Sequence, residues 1–589
     1  MAAAFAFILL SYEPSKDPAS LGSPAPTAGR PNVIIYLVDT LRADHLGVYG
    51  YYRDTSPVLD RWASEAVVFE RAYAPCSWTK PSVVSLLSGL DPVSHGVEDR
   101  LDVIPADLRL LSERLRASGY STFAAVTNPN VLPQWGFDRG FDSYVDLDSA
   151  GHRTRADTVS DYVLEKMGEL AHRQPFLLYV HLIDPHGPYE PPAPFDTRFP
   201  RSPAFPAKRS VGHYDGEIAF VDSQFGRILD GLRAHELDEN TMTIFVADHG
   251  EELLDHGGFG HGSTLFEEVV RVPLVIRFPA GIHAGTRVGA RASLTDLVPT
   301  VLSALGESAP TDLDGHDLTE LLNGEAPPWA DRELFLSLRT TGPNSNLVRG
   351  VLSGSHKYVR RSRPTVSESL YDLERDPAET EDLAELRANS RRRMAATLDA
   401  YLGAKSRGIH LRIVNDSAGD PVRCEAALHT TGRFVEVSDL RMESEDHFEL
   451  SPDSRRLRLD FRLENREQST TAGPRLVPDE DGLIFVVRPP DAPVVVQRLQ
   501  LLDGEALPLR AGPRRRLETI PFSFEATDAA WSVRDIDELL ADSPSAEQHP
   551  GARAYLGVIE APAALEDVPE ELLERLRALG YMNDSTTLD

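Results

Sequence analysis

The chain has 589 residues and carries 60 Lys and Arg against 91 Asp and Glu, a formal charge of −31. That length exceeds what one hydrophobic core usually supports, so two or more domains are expected. The acidic balance argues against nucleic acid as the main partner, because phosphate backbones need clustered Lys and Arg. The cysteines, Cys76 and Cys424, lie in different predicted domains and give no disulfide framework.

Residues 2–10 form an apolar run too short to span a bilayer. Its length fits the core of a signal peptide, although no Lys or Arg precedes it. Residues 15–30 read as a Pro/Ser/Ala-rich linker, so 1–30 is expected to be a leader and linker, and the protein to be exported without a transmembrane span. From residue 31 to about 403 strands and helices alternate. Residues 33–38 are a continuous apolar run, as in a parallel strand buried on both faces. Strands are expected again over 122–126, 176–183, 242–247 and 272–278. Helices are expected over 108–118, 156–171, 214–233 and 294–305. The expected fold class is therefore α/β, a mostly parallel sheet sandwiched by helices. Beyond 403 the character changes: 455–463 alternates apolar and charged residues, and 434–440, 482–488 and 494–502 add strand-like runs. A C-terminal β-rich accessory domain is expected over 404–565, followed by a short amphipathic helix over 570–579 and a tail, within 566–589. No motif in the β-rich domain points to catalysis.

The chemistry-bearing residues follow these strands at their carboxyl ends, where ligands bind in open α/β sheets. Asp39 ends the first strand, Asp184 and His186 follow the 176–183 strand, and Asp248 and His249 end the 242–247 strand. A lone Asp after a strand is usually a turn residue. Three such clusters at one edge are hard to attribute to turns. Residues 74–89 read Ala-Pro-Cys-Ser-Trp-Thr-Lys-Pro-Ser-Val-Val-Ser-Leu-Leu-Ser-Gly. Pro81 suits the first position of a helix, Val83, Val84, Leu86 and Leu87 continue it, and Gly89 stops it. Thr79 then sits at the helix mouth, where unpaired N–H groups favour an oxyanion. A Thr that merely caps the helix is the plainer alternative.

Residues 79–89 resemble the nucleophile segment of the sulfatases, members of the alkaline phosphatase superfamily. Their signature is Cys or Ser, any residue, Pro, Ser, Arg, two residues and Leu-Leu-Thr-Gly. Thr79 falls on the nucleophile and Val83 on the Arg; Cys76 lacks Pro and Arg at the required offsets. Further segments resemble the family in order: 32–50 around Asp39, 90–97 with His95, 181–189 with His186, 247–251 with Asp248 and His249, 260–274 with His261, and 370–379. Thr40 stands where many sulfatases have a second Asp.

The resemblance implies an alkaline phosphatase-like fold and one divalent metal ion held by Asp39, Thr79, Asp248 and His249. The ion would be Ca²⁺ by family, with the imidazole making the site more accommodating to Mn²⁺ or Zn²⁺. It further implies Thr79, His186 and His261 as catalytic residues, the two imidazoles binding ester oxygens or protonating the leaving oxygen. His95 and His256 read as structural. The implied activity is cleavage of a sulfuric ester through a covalent intermediate on Thr79, in a small-molecule or glycan anionic ester. Formylglycine releases sulfate through its second hydroxyl, which threonine lacks. A phosphate or phosphonate ester hydrolase or phosphotransferase is therefore the first alternative, and a degenerate binding protein the second.

Overall fold

The structure, a computed structural model, describes residues 29–148, 154–200, 210–323, 326–340, 346–363 and 365–405, strand segments between 408 and 559, and 569–578. The apolar run 2–10 and nearly all of the linker lie outside the described residues. The chain divides into two compact units: one takes the described residues up to Arg391 together with Glu570–Ala578, the other 392–564.

The first unit is built on an eight-stranded sheet. Its strands are β1 (Asn32–Val38), β2 (Val67–Tyr73), β3 (Ser121–Val126), β4 (Ser143–Asp146), β5 (Phe176–Leu182), β6 (Thr241–Ala247), β7 (Arg271–Arg277) and β8 (Arg287–Ser293), in the spatial order β8-β2-β7-β6-β1-β5-β3-β4. All are parallel except β7, which runs antiparallel to both β2 and β6. All seven residues of β1 are buried. Successive side chains of a strand point to opposite faces, so both faces of the sheet are covered, as parallel sheets require. The helices Ala156–His172 and Val211–Ala234 precede β5 and β6.

Some boundaries differ from those expected. The helix expected over 108–118 is Leu111–Ala117, beginning where the Glu113 carboxylate turns back to accept the Leu110 N–H at 2.9 Å. The segment 294–305 is a 3₁₀ turn, Leu294–Asp296, followed by the helix Leu297–Ala304. Pro81 is not the first helical residue: the helix is Thr79–Ser88, with Gly89 ending it at φ 77°. No N–H of the first turn has a partner inside the helix, so a proline is tolerated at its third position as well as its first.

The first unit also holds a four-stranded antiparallel meander, Leu334–Arg339, Leu347–Ser353, His356–Arg363 and Ser367–Asp372, and a short hairpin of Glu252–Leu253 with Phe259–Gly260. The second unit holds two five-stranded sheets, mostly antiparallel, and a hairpin. No described helix is long and apolar enough to cross a membrane.

The helix Glu570–Ala578 belongs to the first unit. Leu572, Leu573 and Leu576 enter the core, and Arg575 pairs with Asp146 at 2.8 Å. Leu579, the last residue expected in it, lies outside the described residues. Leu576 is 1% exposed, so Leu576→Ala is expected to destabilise the first unit by about 2–5 kcal/mol. An unchanged denaturation midpoint would contradict this docking.

Candidate active site and metal centre

The carboxyl ends of β1 and β6 adjoin, because Val38 lies beside Ala247 in the parallel ladder. The next residues, Asp39 and Asp248, are thereby brought together with His249. One ligand atom from each lies within 4.8 Å of the others, and all three residues are fully buried. His249 Nε2 stands 3.5 Å from Asp39 Oδ1 and 3.5 Å from Asp248 Oδ2. His249 Nδ1 lies 2.9 Å from the Gly250 carbonyl. A carbonyl can only accept, so Nδ1 carries hydrogen, and the ring in its neutral form turns the Nε2 lone pair toward the carboxylates.

Thr79 Oγ1 is 3.3 Å from His249 Nε2 and fully buried. Ser82, one turn along the same helix, donates to the Asp248 carbonyl at 2.5 Å, tying the helix mouth to the Asp248 loop. Thr40 adopts φ 54°, a left-handed conformation a β-branched residue rarely takes. Its N–H donates to Asp248 Oδ1 at 3.4 Å, and its carbonyl accepts from Tyr214 at 2.7 Å. The residue in the second Asp's place thus contributes backbone rather than a carboxylate. Val83 packs in the core and supplies no cation.

The four residues expected around an ion are therefore together. The donor set suits one: Asp39 Oδ1 and Asp248 Oδ2 are buried and have no hydrogen-bond partner, an arrangement costly without a counter-charge. Burial, opposed by His249 and Asn128, pushes Asp39 up to about 7. Burial and then the charge of Asp39 push Asp248 up to about 6. Burial works against charge on His249, but Asp248 and Asp39 outweigh it and raise its pKa.

The other expected histidines line the same region. The His186 and His261 ring centroids are 4.9 Å apart, and those of His249 and His261 4.5 Å. His186 Nδ1 lies 2.7 Å from the Gly187 carbonyl. His261 Nδ1 lies 2.9 Å from Glu251 Oε1, whose partner oxygen accepts from Tyr189 at 3.0 Å. Burial, with the charges of His249 and Arg100, pushes the His261 pKa well below its ordinary value. Asp184 stands apart: it accepts the Ala156 N–H at 2.8 Å, starting a helix. His95 bonds Ser85 and Pro81 in the helix Thr79–Ser88, and His256 stacks on Phe266 and pairs with Glu268.

Four residues had no signal in the sequence. Asn128 donates to Asp39 Oδ2 and approaches Thr79 Oγ1 at 3.5 Å. His181 is buried, its Nε2 3.8 Å from Asp39 Oδ2. Lys80 is buried with its ammonium 3.3 Å from the Trp135 ring centroid, donating to the Arg100 and Asp102 carbonyls. Arg100 itself acts electrostatically on Lys80 and His261. An Asn-Pro-Asn stretch reads as a turn, and a Lys beside a Thr reads as surface.

The fold and this site define a hydrolase of the alkaline phosphatase superfamily. The sulfatase family model matches residues 31–307, and that of the N-sulphoglucosamine sulphohydrolase C-terminal region matches 255–405. The chain belongs to the sulfatase family. It is 24% identical over 401 residues to an ulvan-active sulfatase of Formosa agariphila, covering 60% of this chain and 76% of that one. It is 27% identical over 397 residues to the N-acetylgalactosamine-6-sulfatase of Canis lupus familiaris, covering 57% and 73%. The phosphonate monoester hydrolase structure of Agrobacterium radiobacter shares the fold, with TM-score 0.55, 23% identity and coverage of 64% and 96%.

A cation entering this site must displace protons from Asp39 and Asp248. Their pKa values are raised, so protons are held up to about pH 6 to 7. Cation affinity is therefore expected to rise with pH through that window. Calorimetric titration with Mn²⁺ across pH checks this; a flat profile contradicts it.

Proposed function

We propose that this chain is a metal-assisted hydrolase that cleaves sulfuric esters through a covalent intermediate on Thr79. The observation that carries the reading is the 3.3 Å approach of Thr79 Oγ1 to His249 Nε2, beside two buried carboxylate oxygens without partners. Asp39, Thr79, Asp248 and His249 would hold one divalent ion. Such an ion, when bound, lowers the pKa of a hydroxyl and neutralises developing charge. Ca²⁺ is the family's choice, while an imidazole among the ligands favours Mn²⁺ or Zn²⁺.

Thr79 attacks the sulfur in line with the departing alcohol. The Oγ1–sulfur bond forms as the bond from sulfur to the leaving oxygen breaks. The proton lost by the hydroxyl balances the one gained by the alcohol, and water later cleaves the Thr79 ester. His186 and His261 face the transferring group. Burial and the charges of His249 and Arg100 keep His261 neutral, so it orients the substrate and leaves the acid role to His186. Arg100 supplies local positive charge where Val83 cannot.

Relatives named for ulvan and for N-acetylgalactosamine 6-sulfate favour a sulfated glycan. Export, suggested by residues 2–10, would bring the enzyme to such substrates. The second reading, a phosphate or phosphonate ester hydrolase or phosphotransferase, rests on Thr79 having a single hydroxyl, which denies the ester the formylglycine route of release. A degenerate binding protein is disfavoured, because it need not keep Asp39, Asp248 and His249 assembled.

Thr79→Ala is expected to lower kcat/KM by at least about 1,000-fold, in keeping with loss of a covalent nucleophile. Mass spectrometry of quenched enzyme should find the transferred group on Thr79. Activity retained in Thr79→Ala would sink the reading. An assay of 4-nitrophenyl sulfate against phosphate and phosphonate esters separates the two chemistries, and no turnover of any favours the degenerate protein.

An aryl ester needs little protonation of its leaving oxygen. His186→Ala should therefore slow alkyl esters far more than nitrophenyl esters, while His261→Ala slows both alike. The reverse pattern would exchange the two roles.

A further inference from the structure

We infer that Asn128 is a catalytic hydrogen-bond donor, which turns one oxygen of Asp39 toward the cation site and stabilises the Thr79 oxygen as it becomes the nucleophile. The inference rests on the proposed roles of Thr79 and of the Asp39, Asp248 and His249 cluster.

Asn128 follows β3 by two residues and is fully buried. Its neighbour Thr127 donates to the His181 carbonyl at 3.1 Å and accepts the Ile183 N–H at 3.0 Å, fastening this turn to the end of β5. Asn128 Oδ1 accepts the Asn130 N–H at 2.8 Å. That bond fixes the amide orientation, since only the oxygen can accept. Nδ2 must then face the site, where it donates to Asp39 Oδ2 and lies 3.5 Å from Thr79 Oγ1. Its two hydrogens match these two oxygens.

Capping the 3₁₀ turn Pro129–Val131 is the ordinary reason for an Asn here. Capping uses Oδ1 alone, and an Asp would serve as well. An Asp, however, would set a carboxylate against Asp39 and offer nothing to Thr79. The amide is therefore required by the site and not by the turn. With Oδ2 engaged, Asp39 keeps Oδ1 without a hydrogen-bond partner, 3.5 Å from His249 Nε2. As Thr79 loses its proton, the N–H beside Oγ1 gains strength, because hydrogen bonds to a charged acceptor are the stronger kind. When the ester forms, that charge disperses and the bond relaxes.

Because Asp keeps the cap, Asn128→Asp should fold and separates the two duties. Full-length wild type, Asn128→Asp and Asn128→Ala are titrated with Mn²⁺ by calorimetry. Formation of the Thr79 ester is followed by quenched mass spectrometry with whichever 4-nitrophenyl ester the wild type turns over. Asn128→Ala should weaken Mn²⁺ binding by about 10-fold to 100-fold, as loss of a ligand's supporting hydrogen bond does. Asn128→Asp should bind Mn²⁺ at least as tightly as wild type, through its added charge. It should nevertheless form the Thr79 ester about 100-fold more slowly, the effect of one lost oxyanion donor. A merely structural residue would lose both properties together or neither. Wild-type Mn²⁺ affinity in Asn128→Ala together with wild-type ester formation in Asn128→Asp overturns the inference alone. A wild type that binds no Mn²⁺ or forms no ester on Thr79 overturns the reading beneath it as well.

Discussion

Two carboxylates and an imidazole are fully buried side by side, and their charges do not balance. Asp39 and Asp248 each expose an unbonded oxygen to the same small volume, and nearby His181 adds no positive charge, because burial lowers its pKa to about 4. Removing such groups from water is tolerable only when something returns the lost solvation. A divalent cation meets that requirement and protons meet it in part, which is why both carboxylates hold their protons well above the usual range. The surrounding structure keeps this charge imbalance in place: the ladder between β1 and β6 aligns the two aspartates, and Ser82 pins the helix Thr79–Ser88 against the same loop.

Legibility in the sequence followed the physics of burial. β1 was readable because Val33 to Val38 are apolar without interruption. β2 and β8 were not, since Glu70 and Arg71 interrupt one and Arg287, Gly289 and Arg291 the other. Both lie toward one edge of the sheet, where a strand need not be apolar on both faces. The β1 and β6 ends of the site were legible because acidic residues and histidine close strands at the edge where such folds bind ligands. Asn128 and Lys80 were not, because their roles depend on what folds over them. Lys80 is buried only because Trp135, fifty-five residues away, lies across its ammonium, and Asn128 looks like any turn asparagine until β5 carries β3 to Asp39.

Thr79 is held at the mouth of its helix by the groups around it. A threonine hydroxyl can donate one hydrogen and accept others, and its oxygen is approached from two sides, by His249 and by Asn128. Val83 is a core residue without charge, whereas Arg100, on a loop, acts electrostatically on His261 and Lys80. That loop is braced by Lys80 from below and by Asp102, whose carboxylate accepts the Glu98 and Asp99 N–H groups.

The chain leaves the first unit near Arg391 and returns to it only at Glu570–Ala578. Leu572, Leu573 and Leu576 are therefore among the last core residues to leave the ribosome, some 180 residues after the rest of their unit. Through that interval the nascent first unit carries an apolar face against which nothing from its own core can yet close. Synthesis thus imposes an order in which the intervening β-rich unit can form before the hydrolase core is sealed.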